Sequence, residues 1–319
     1  MKGLAGRAAD APVAAQRQDV DYALLRSDSI LNRNPNPELS FVWTVNPYRG
    51  CEFGCLYCYA RYTHEFLELD PTEDFDRRIF VKERAAALFE RDLRSRRFRK
   101  EDPIAIGTAT DPYQPAEARF GVTRAILEVA ARHERLDLSI TTKGILIRRD
   151  LDLLREIGRR SSLHVNMTLT TTRSALARVL EPRAPTPAAR LETVRALADA
   201  GIEVGIHAMP VLPGITDSRA DVEILAAAAA SAGARYLGGQ VLFLPSASLG
   251  AFFPFLERRF PRLVAAYRRT YGPRTRAPAG YRRRIQALYD EARTRYGLAR
   301  AADPWSPPRP VQSVIGFDP

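Results

Sequence analysis

Cys51-Glu52-Phe53-Gly54-Cys55-Leu56-Tyr57-Cys58 contains all 3 cysteines of a 319-residue chain. The spacing is C-x3-C-x2-C, with an aromatic residue just before the last thiol. Three thiolates this close can each bind a different iron of a [4Fe–4S] cube and leave the fourth iron open. An open iron can bind and activate a small molecule, so a reaction centre is a better reading than an electron carrier. A structural zinc site asks for four ligands, usually in two separated pairs. This chain has no second pair, and the nearest fourth ligand is His64. Disulfides fit less well, because three cysteines cannot all pair and the spacing is not that of a secreted framework.

Outward from the cysteines, a strand-then-helix pattern repeats. Apolar, β-rich runs cover residues 41–46, 104–109, 138–142, 163–169, 203–209 and 236–244. Helical patterns lie between them, at about 82–97, 122–133, 149–157, 187–200 and 218–232. Thr186 can cap a helix whose first residue is Pro187. Gly201 and Gly233 fall where a helix end favours a left-handed residue. Strands alternating with helices predict a parallel sheet, and crossovers of one hand wrap it into a curved sheet or barrel. Six strands are too few for the closed eight-stranded barrel. Chemistry in parallel sheets sits at the carboxyl ends of the strands, and the cysteines follow the first one.

Three regions are expected. Residues 1–40 have few apolar positions and read as an extended N-terminal arm, disordered at its start. Residues 41–245 form the α/β core, and residues 246–319 a basic helical cap with a Pro-rich tail at 304–310. The cap has helical stretches at about 252–271 and 278–296.

Hydrophobic residues make up 45% and charged residues 27%, as in ordinary soluble globular proteins. No apolar run approaches the ~18 residues of a membrane span, and the N-terminus has no signal-peptide core. A cytoplasmic protein without a membrane partner is expected. The net charge is +11, and residues 251–319 hold 14 arginines against 5 acids. Such a region can contact phosphates. Arg282-Arg283-Arg284, with Tyr267, Tyr271, Tyr281 and Tyr289 interleaved, could bind phosphates and stack on bases. GC-rich coding bias explains the arginines equally well: lysines number only 4 (Lys2, Lys82, Lys100 and Lys143).

The longer string Asn46-Pro47-Tyr48-Arg49-Gly50-Cys51-Glu52-Phe53-Gly54-Cys55-Leu56-Tyr57-Cys58-Tyr59-Ala60-Arg61 resembles the spore photoproduct lyase-like branch of the radical S-adenosylmethionine (SAM) superfamily. So does Gly107-Thr108-Ala109-Thr110-Asp111-Pro112-Tyr113-Gln114-Pro115-Ala116-Glu117, and the likeness runs over about residues 29–296. It implies a partial (β/α)6 TIM-like barrel with an N-terminal arm and a C-terminal helical extension. It also implies a [4Fe–4S] cluster on Cys51, Cys55 and Cys58, with SAM chelating the open iron. One electron then cleaves SAM to methionine and a 5′-deoxyadenosyl radical, which abstracts hydrogen from the substrate. The cofactors carry the chemistry; the protein positions and shields them. The resemblance further implies a reducing partner of the flavodoxin or ferredoxin type, a nucleic-acid substrate, and a lyase acting in DNA repair.

The resemblance assigns roles to Tyr57, Thr108, Thr110, Asp111, Lys143, Glu181 and Arg190, while residue type and strand position suggest those of Gly54, Asn166, His207, Met209 and Gln240; most have a plainer alternative. Tyr57 would pack near the adenine, or simply cover the cluster. Gly54 would allow a tight backbone among the thiolates, or serve an ordinary turn. Thr108, Thr110 and Asp111 would meet the methionine end of SAM, although an Asp before Pro112 also suits a turn. Lys143 would pair with the SAM carboxylate; in so Arg-rich a chain, a retained lysine hints that an ammonium point charge is wanted. The alternative is a solvated lysine at a strand end. Asn166 would point inward. Glu181-Pro182 and Arg190 would order the region beside SAM, with Arg190 on its carboxylate, or form a surface ion pair. His207, Met209 and Gln240 would line the substrate or adenine side, or be satisfied core groups. One departure stands out. Spore photoproduct lyase is understood to use a cysteine outside the cluster as hydrogen donor, and this chain has no fourth cysteine; Tyr113 or Tyr48 could serve. Rival readings are a radical SAM enzyme acting on a peptide or small metabolite, and a non-catalytic iron–sulfur or zinc nucleic-acid-binding module.

Overall fold

The computed structural model describes residues 3–17 and 19–300, so the tail at 304–310 lies outside the described residues. In chain order the strands are β1 (Val13–Arg17), β2 (Val20–Leu24), β3 (Leu31–Arg33), β4 (Trp43–Val45), β5 (Tyr48–Arg49) and β6 (Arg78–Val81). They continue as β7 (Ile104–Ile106), β8 (Asp137–Thr142), β9 (Ser162–Thr168), β10 (Glu203–Val211) and β11 (Leu237–Val241). The larger sheet has 7 strands in the order β11-β10-β9-β8-β7-β4-β3. From β4 to β11 its neighbours are parallel, and β3 lies antiparallel on the edge. The parallel strands fall on the six predicted runs. Each new strand adds to the same side of the last, so the sheet winds one way without doubling back. It stays open between β3 and β11, which makes it a partial (β/α)6 barrel.

Alternation along the strands sets the layers. Leu138 and Ile140 on β8, Val165 and Met167 on β9, and Val204, Ile206 and Ala208 on β10 are buried on one face. Helices such as Leu151–Arg160, Pro187–Asp199 and Ala279–Tyr296 cover that face. Fully burying a side chain such as Ile140 stabilises by about 1.5–3 kcal/mol. The intervening residues Ser139, Thr141, His164, Asn166, Thr168, Glu203, His207 and Met209 line the other, largely polar face. That face is the barrel lumen.

The expected punctuation is present. Thr186 Oγ1 accepts the Ala189 N–H at 3.3 Å, and Pro187 opens the helix. Gly201 and Gly233 have φ of +76° and +80°.

Two regions differ from expectation. Residues 3–17 and 19–40 are more ordered than an extended arm with a disordered start: β1 and β2 join β6 and β5 in a second sheet of order β1-β2-β6-β5. Val20, Tyr22 and Ile30 are buried, so its few apolar residues suffice to dock it. The helix expected over 252–271 divides into Ser246–Arg259 and Val264–Tyr271, with a short 3-10 turn at Pro261–Leu263. Pro261 lacks the N–H needed to continue the first helix and suits the start of the next turn. The last helix, Ala279–Tyr296, packs on β11 and on the helix Arg219–Ser231, as part of the barrel wall. A Cβ on Gly239 would stand 2.6 Å from Cε1 of Tyr289, so only glycine permits that approach. Among the described residues no helix is long and apolar enough to cross a membrane.

Candidate active site

The loop carrying the cysteines leaves β5 and arches over the carboxyl ends of the parallel strands. Its entry depends on Gly50, at φ +77°, where a Cβ would lie 2.7 Å from the Phe75 carbonyl oxygen. The Cys51 N–H donates to the same carbonyl at 3.0 Å. Gly54 also has positive φ, +63°, and a Cβ there would crowd Asp76 Oδ2 at 3.1 Å. The buried Arg61 guanidinium donates to Cys55 O at 3.4 Å, Pro71 O at 2.9 Å and Thr72 O at 3.1 Å.

The two sequence strings form one unit. Gln114 Oε1 accepts the Glu52 N–H at 2.9 Å, while its Nε2 donates to Gly50 O at 3.2 Å and Thr110 Oγ1 at 2.9 Å. The Thr110 hydroxyl donates to Gly50 O at 2.6 Å. The Glu52 carboxylate accepts from Tyr22 OH at 2.8 Å and from the Ala116 N–H at 2.6 Å. The N-terminal sheet therefore braces the loop directly. Beyond Cys58 the loop spans the mouth. The Tyr59 hydroxyl donates to Thr108 O, past β7. The Tyr57 hydroxyl bonds Thr170 Oγ1 at 2.9 Å, past β9. Ser248 Oγ donates to Cys58 O at 2.8 Å, past β11. First and last strands thus meet through their loops.

All three cysteines are free; Cys51 and Cys55 are buried and Cys58 is half-buried. Burial raises each thiol pKa. At Cys51 Asp111 and the other two thiols add to the rise. At Cys55 burial pushes the value up to about 12, with Lys143 opposing. At Cys58 burial is opposed by Arg61 and Lys143. Three thiols on one short loop, each disfavoured as a free thiolate by burial, form a donor set suited to a cationic centre. Among the described residues no three His, Cys, Asp or Glu side chains converge on one ion. A cube does not require that, because each thiolate takes its own iron. His64, the nearest fourth ligand in sequence, is turned into the core between Phe75 and Phe80, its Nε2 3.1 Å from Arg78 O. The thiols fit a cluster better than a zinc ion.

Lys143 and Tyr57 come together beside these thiols, with Nζ 5.8 Å from the ring centre. Burial would lower the Lys143 pKa, but Cys55 and Glu181 outweigh it and raise the value. Among the described residues its ammonium has no hydrogen bond or ion pair. Asp111 is saturated within the protein, accepting from Tyr113 N–H at 2.9 Å, Thr142 Oγ1 at 2.6 Å and Lys143 N–H at 2.7 Å. It fixes the backbone of Lys143. Thr110 holds Gly50, and Thr108 exchanges hydrogen bonds with Asn46. Asn166 faces the lumen, where its Oδ1 accepts from Tyr236 OH at 2.7 Å.

Several expectations need correction. Arg190 is 1% exposed and donates to Pro185 O, Thr168 O and Glu181. It is neither on the surface nor free for a SAM carboxylate. Through Glu181, which also accepts from Tyr57 OH, it fixes the Tyr57 ring. Gln240 is exposed. Tyr48 is bonded to Glu117 at 2.5 Å in the core and Tyr113 is buried, so neither is placed at the mouth to donate hydrogen. Tyr267, Tyr271 and Tyr289 are 3%, 3% and 1% exposed and cannot stack on external bases. Packing claimed these aromatics, which periodicity alone could have shown for Tyr267 and Tyr271, one helical turn apart. The roles of Glu52 and Gln114 were not readable, because their partners are distant in sequence; the hydrogen-bond acceptors of Arg61 are backbone carbonyls within 11 residues, which no side-chain pattern marks.

A model of the radical SAM superfamily matches residues 45–225, more than half of the chain. The chain belongs to the radical SAM superfamily, whose members use a [4Fe–4S] cluster and SAM. Its relatives include an uncharacterised protein of Mycobacterium tuberculosis, 37% identical over 309 residues, covering 95% of this chain and 90% of the other. One of Methanocaldococcus jannaschii is 28% identical over 184 residues, 58% of this chain and 66% of that one. Among solved structures, a mutant spore photoproduct lyase with bound AdoMet and dinucleoside spore photoproduct matches with a TM-score of 0.65 at 14% identity. That match covers 86% of this chain and 79% of the other, and shows a shared fold.

Proposed function

We propose that this protein reductively cleaves SAM at a [4Fe–4S] cluster held by Cys51, Cys55 and Cys58, and acts on a nucleic acid. The carrying observation is the loop of three free thiols arched over the strand ends, with the unpaired ammonium of Lys143 beside it. When bound, the cluster would supply one electron, taken from an external reductant, for cleavage of SAM to methionine and a 5′-deoxyadenosyl radical. Lys143 takes the SAM carboxylate, and Tyr57, fixed by Glu181 and Thr170, packs against the adenine. The overarching loop shields the radical from solvent. A reducing partner of the flavodoxin or ferredoxin type in the cytoplasm is the electron source. Nucleic acid is favoured by the exposed Arg282, Arg283 and Arg284 on the barrel wall and by the fold shared with spore photoproduct lyase. The missing fourth cysteine sets the hydrogen-return step apart from that enzyme.

A peptide or small-metabolite substrate is the second reading, favoured by the burial of three of the four cap tyrosines. The test is anaerobic reconstitution and reduction, with Mössbauer or EPR spectra, iron and sulfide counts, and assay of 5′-deoxyadenosine from SAM. Undiminished iron in Cys55→Ala, or zinc alone in the wild type, refutes the cluster assignment. Titration with labelled DNA and RNA separates the two substrate readings.

A further inference from the structure

Beneath the cysteine loop, the lumen face of the sheet is built in rows. The lower row joins Thr141, Asn166 and Gly205 in register. The Tyr236 ring lies over Gly205, where any Cβ would collide with it, and its hydroxyl donates to Asn166 Oδ1 at 2.7 Å. These groups satisfy one another, and the row forms a floor.

The row above is different. Thr168 pairs with His207, and His207 with Gly238. Lys143 extends the row from β8, one residue past the Thr142–Met167 pair. His207 is half-buried, with its ring 6.0 Å from that of Tyr236. Among the described residues neither ring nitrogen has a hydrogen bond or ion pair. A Cβ on Gly238 would stand 3.1 Å from His207 Cδ2 and 3.5 Å from Met209 Cε, so glycine there lets both side chains lie across β11. Burial pushes the imidazole pKa down to about 4. A neutral imidazole offers one donor and one acceptor. It is not a charge partner for phosphate or carboxylate, but it matches the donor–acceptor edge of a base. The Met209 thioether adds a soft, polarisable contact for a ring.

We propose that His207, flanked by Met209 and Gly238, is the subsite for a nucleobase of the substrate. This deepens the nucleic-acid reading and rests on it. Lys143 and Tyr57 provide for SAM at the β8–β9 side, which leaves the β10–β11 side for the second molecule.

The test uses cluster-loaded protein with SAM and no reductant, so that nothing turns over. The probes are a fluorescein-labelled single-stranded 12-mer of mixed sequence and an abasic 12-mer of the same length, followed by anisotropy. His207→Leu should weaken the base-bearing strand about tenfold, the worth of one or two neutral hydrogen bonds. Affinity for the abasic strand and for SAM should not change. His207→Asn, which keeps a donor and an acceptor, should retain most of the binding. Iron content and thermal melting check folding; if the Leu variant fails them, Gly238→Ala should produce the same selective loss by pressing on the ring. Equal affinity of wild type and variant for the base-bearing strand overturns the subsite, as does a wild type that does not prefer bases over the abasic strand. A loss of SAM affinity overturns it too, because the adenine would then occupy the position. The two readings fail separately: a wild type that makes no 5′-deoxyadenosine refutes the reaction, whereas normal cleavage with His207-independent strand binding refutes only the subsite.

Discussion

Lys143 holds its ammonium 5.8 Å from the centre of the Tyr57 ring, and among the described residues no carboxylate pairs with it. Its own backbone is anchored by Asp111 through an N–H bond of 2.7 Å. An unpaired cation on an anchored backbone is suited to an anionic ligand. Lys143→Ala should weaken SAM binding by about 1.5–3 kcal/mol, the usual worth of a hydrogen bond to a charged group. Cluster content should stay the same. Equilibrium dialysis with reconstituted protein measures this, and unaltered affinity in a well-folded variant rejects the role.

The same neighbourhood contains a buried ion pair. Glu181 and Arg190 are 2% and 1% exposed. Burial would raise the Glu181 pKa, but Arg190 and Lys143 outweigh it and hold the carboxyl low. Removing one partner strands the other charge, at a cost of about 3–5 kcal/mol. Arg190→Met should therefore lower the urea midpoint markedly, and Arg190→Met with Glu181→Leu should regain much of the loss. A double variant no more stable than the single one would falsify the pairing account.

Gly50 and Gly158 separate backbone need from incidental glycine. At Gly50 positive φ and the Phe75 carbonyl exclude a side chain, whereas a Cβ on Gly158 meets nothing within 4 Å. Gly50→Ala should cost roughly 1–3 kcal/mol and reduce iron retention, because it distorts the entry to the cysteine loop. Gly158→Ala, inside the helix Leu151–Arg160, should stabilise by about 0.5–1 kcal/mol. Chemical melts and iron counts on both give the comparison; matching behaviour would remove the steric argument.

The core was legible where one physical rule dominated. Strands β4 and β7 to β11 alternate with helices, and Pro187 and Gly201 mark helix ends through backbone restrictions that act locally. The N-terminal strands were not legible, because Tyr22 becomes strand-like only by docking on β6, itself a run of 4 residues, Arg78–Val81. The site divides the same way. Cysteine spacing is local, and it identified the loop. Arg190 was read as a possible ligand because its partners, Thr168 and Glu181, arrive from another strand and a loop. A sequence cannot show which arginine is already satisfied.

His64 supplies a pH prediction. Burial pushes its pKa from 6.5 down to about 4, while its Nε2 stays near Arg78 O. With the folded value depressed, protons bind the unfolded chain first. The stabilising contribution is therefore full above pH 6.5 and is lost as the pH falls from there to about 4. By linkage the loss at pH 5 is about 2 kcal/mol. His64→Gln should lack this component, so the stability difference between wild type and variant should shrink or invert on acidification. Urea melts at pH 7.5 and pH 5 measure it, and a difference constant with pH excludes His64 as the source.

The C-terminal helix Ala279–Tyr296 runs opposite to β11. Arg293 Nη1 donates to Leu237 O at 2.9 Å at the start of that strand, and Gln286 Nε2 to Gly239 O at 2.5 Å further along it. Its first turns therefore lie at the carboxyl end of the sheet, where Tyr281 OH also reaches Asp217. Arg282, Arg283 and Arg284 are exposed there, and among the described residues none is in an ion pair. A nucleic acid entering the mouth would meet this run. Each phosphate neutralised on B-DNA contributes about −0.9 to the slope of log affinity against log salt. Replacing all three with Ala should lower the slope by up to about 3, and SAM cleavage without substrate should be unaffected. Titrations of single- and double-stranded DNA and RNA at two salt concentrations give the slopes. With three of the four cap tyrosines buried, the affinity should be largely electrostatic and fall steeply with salt. An absence of binding at low salt would leave the arginines to coding bias and make a peptide or small metabolite the better substrate.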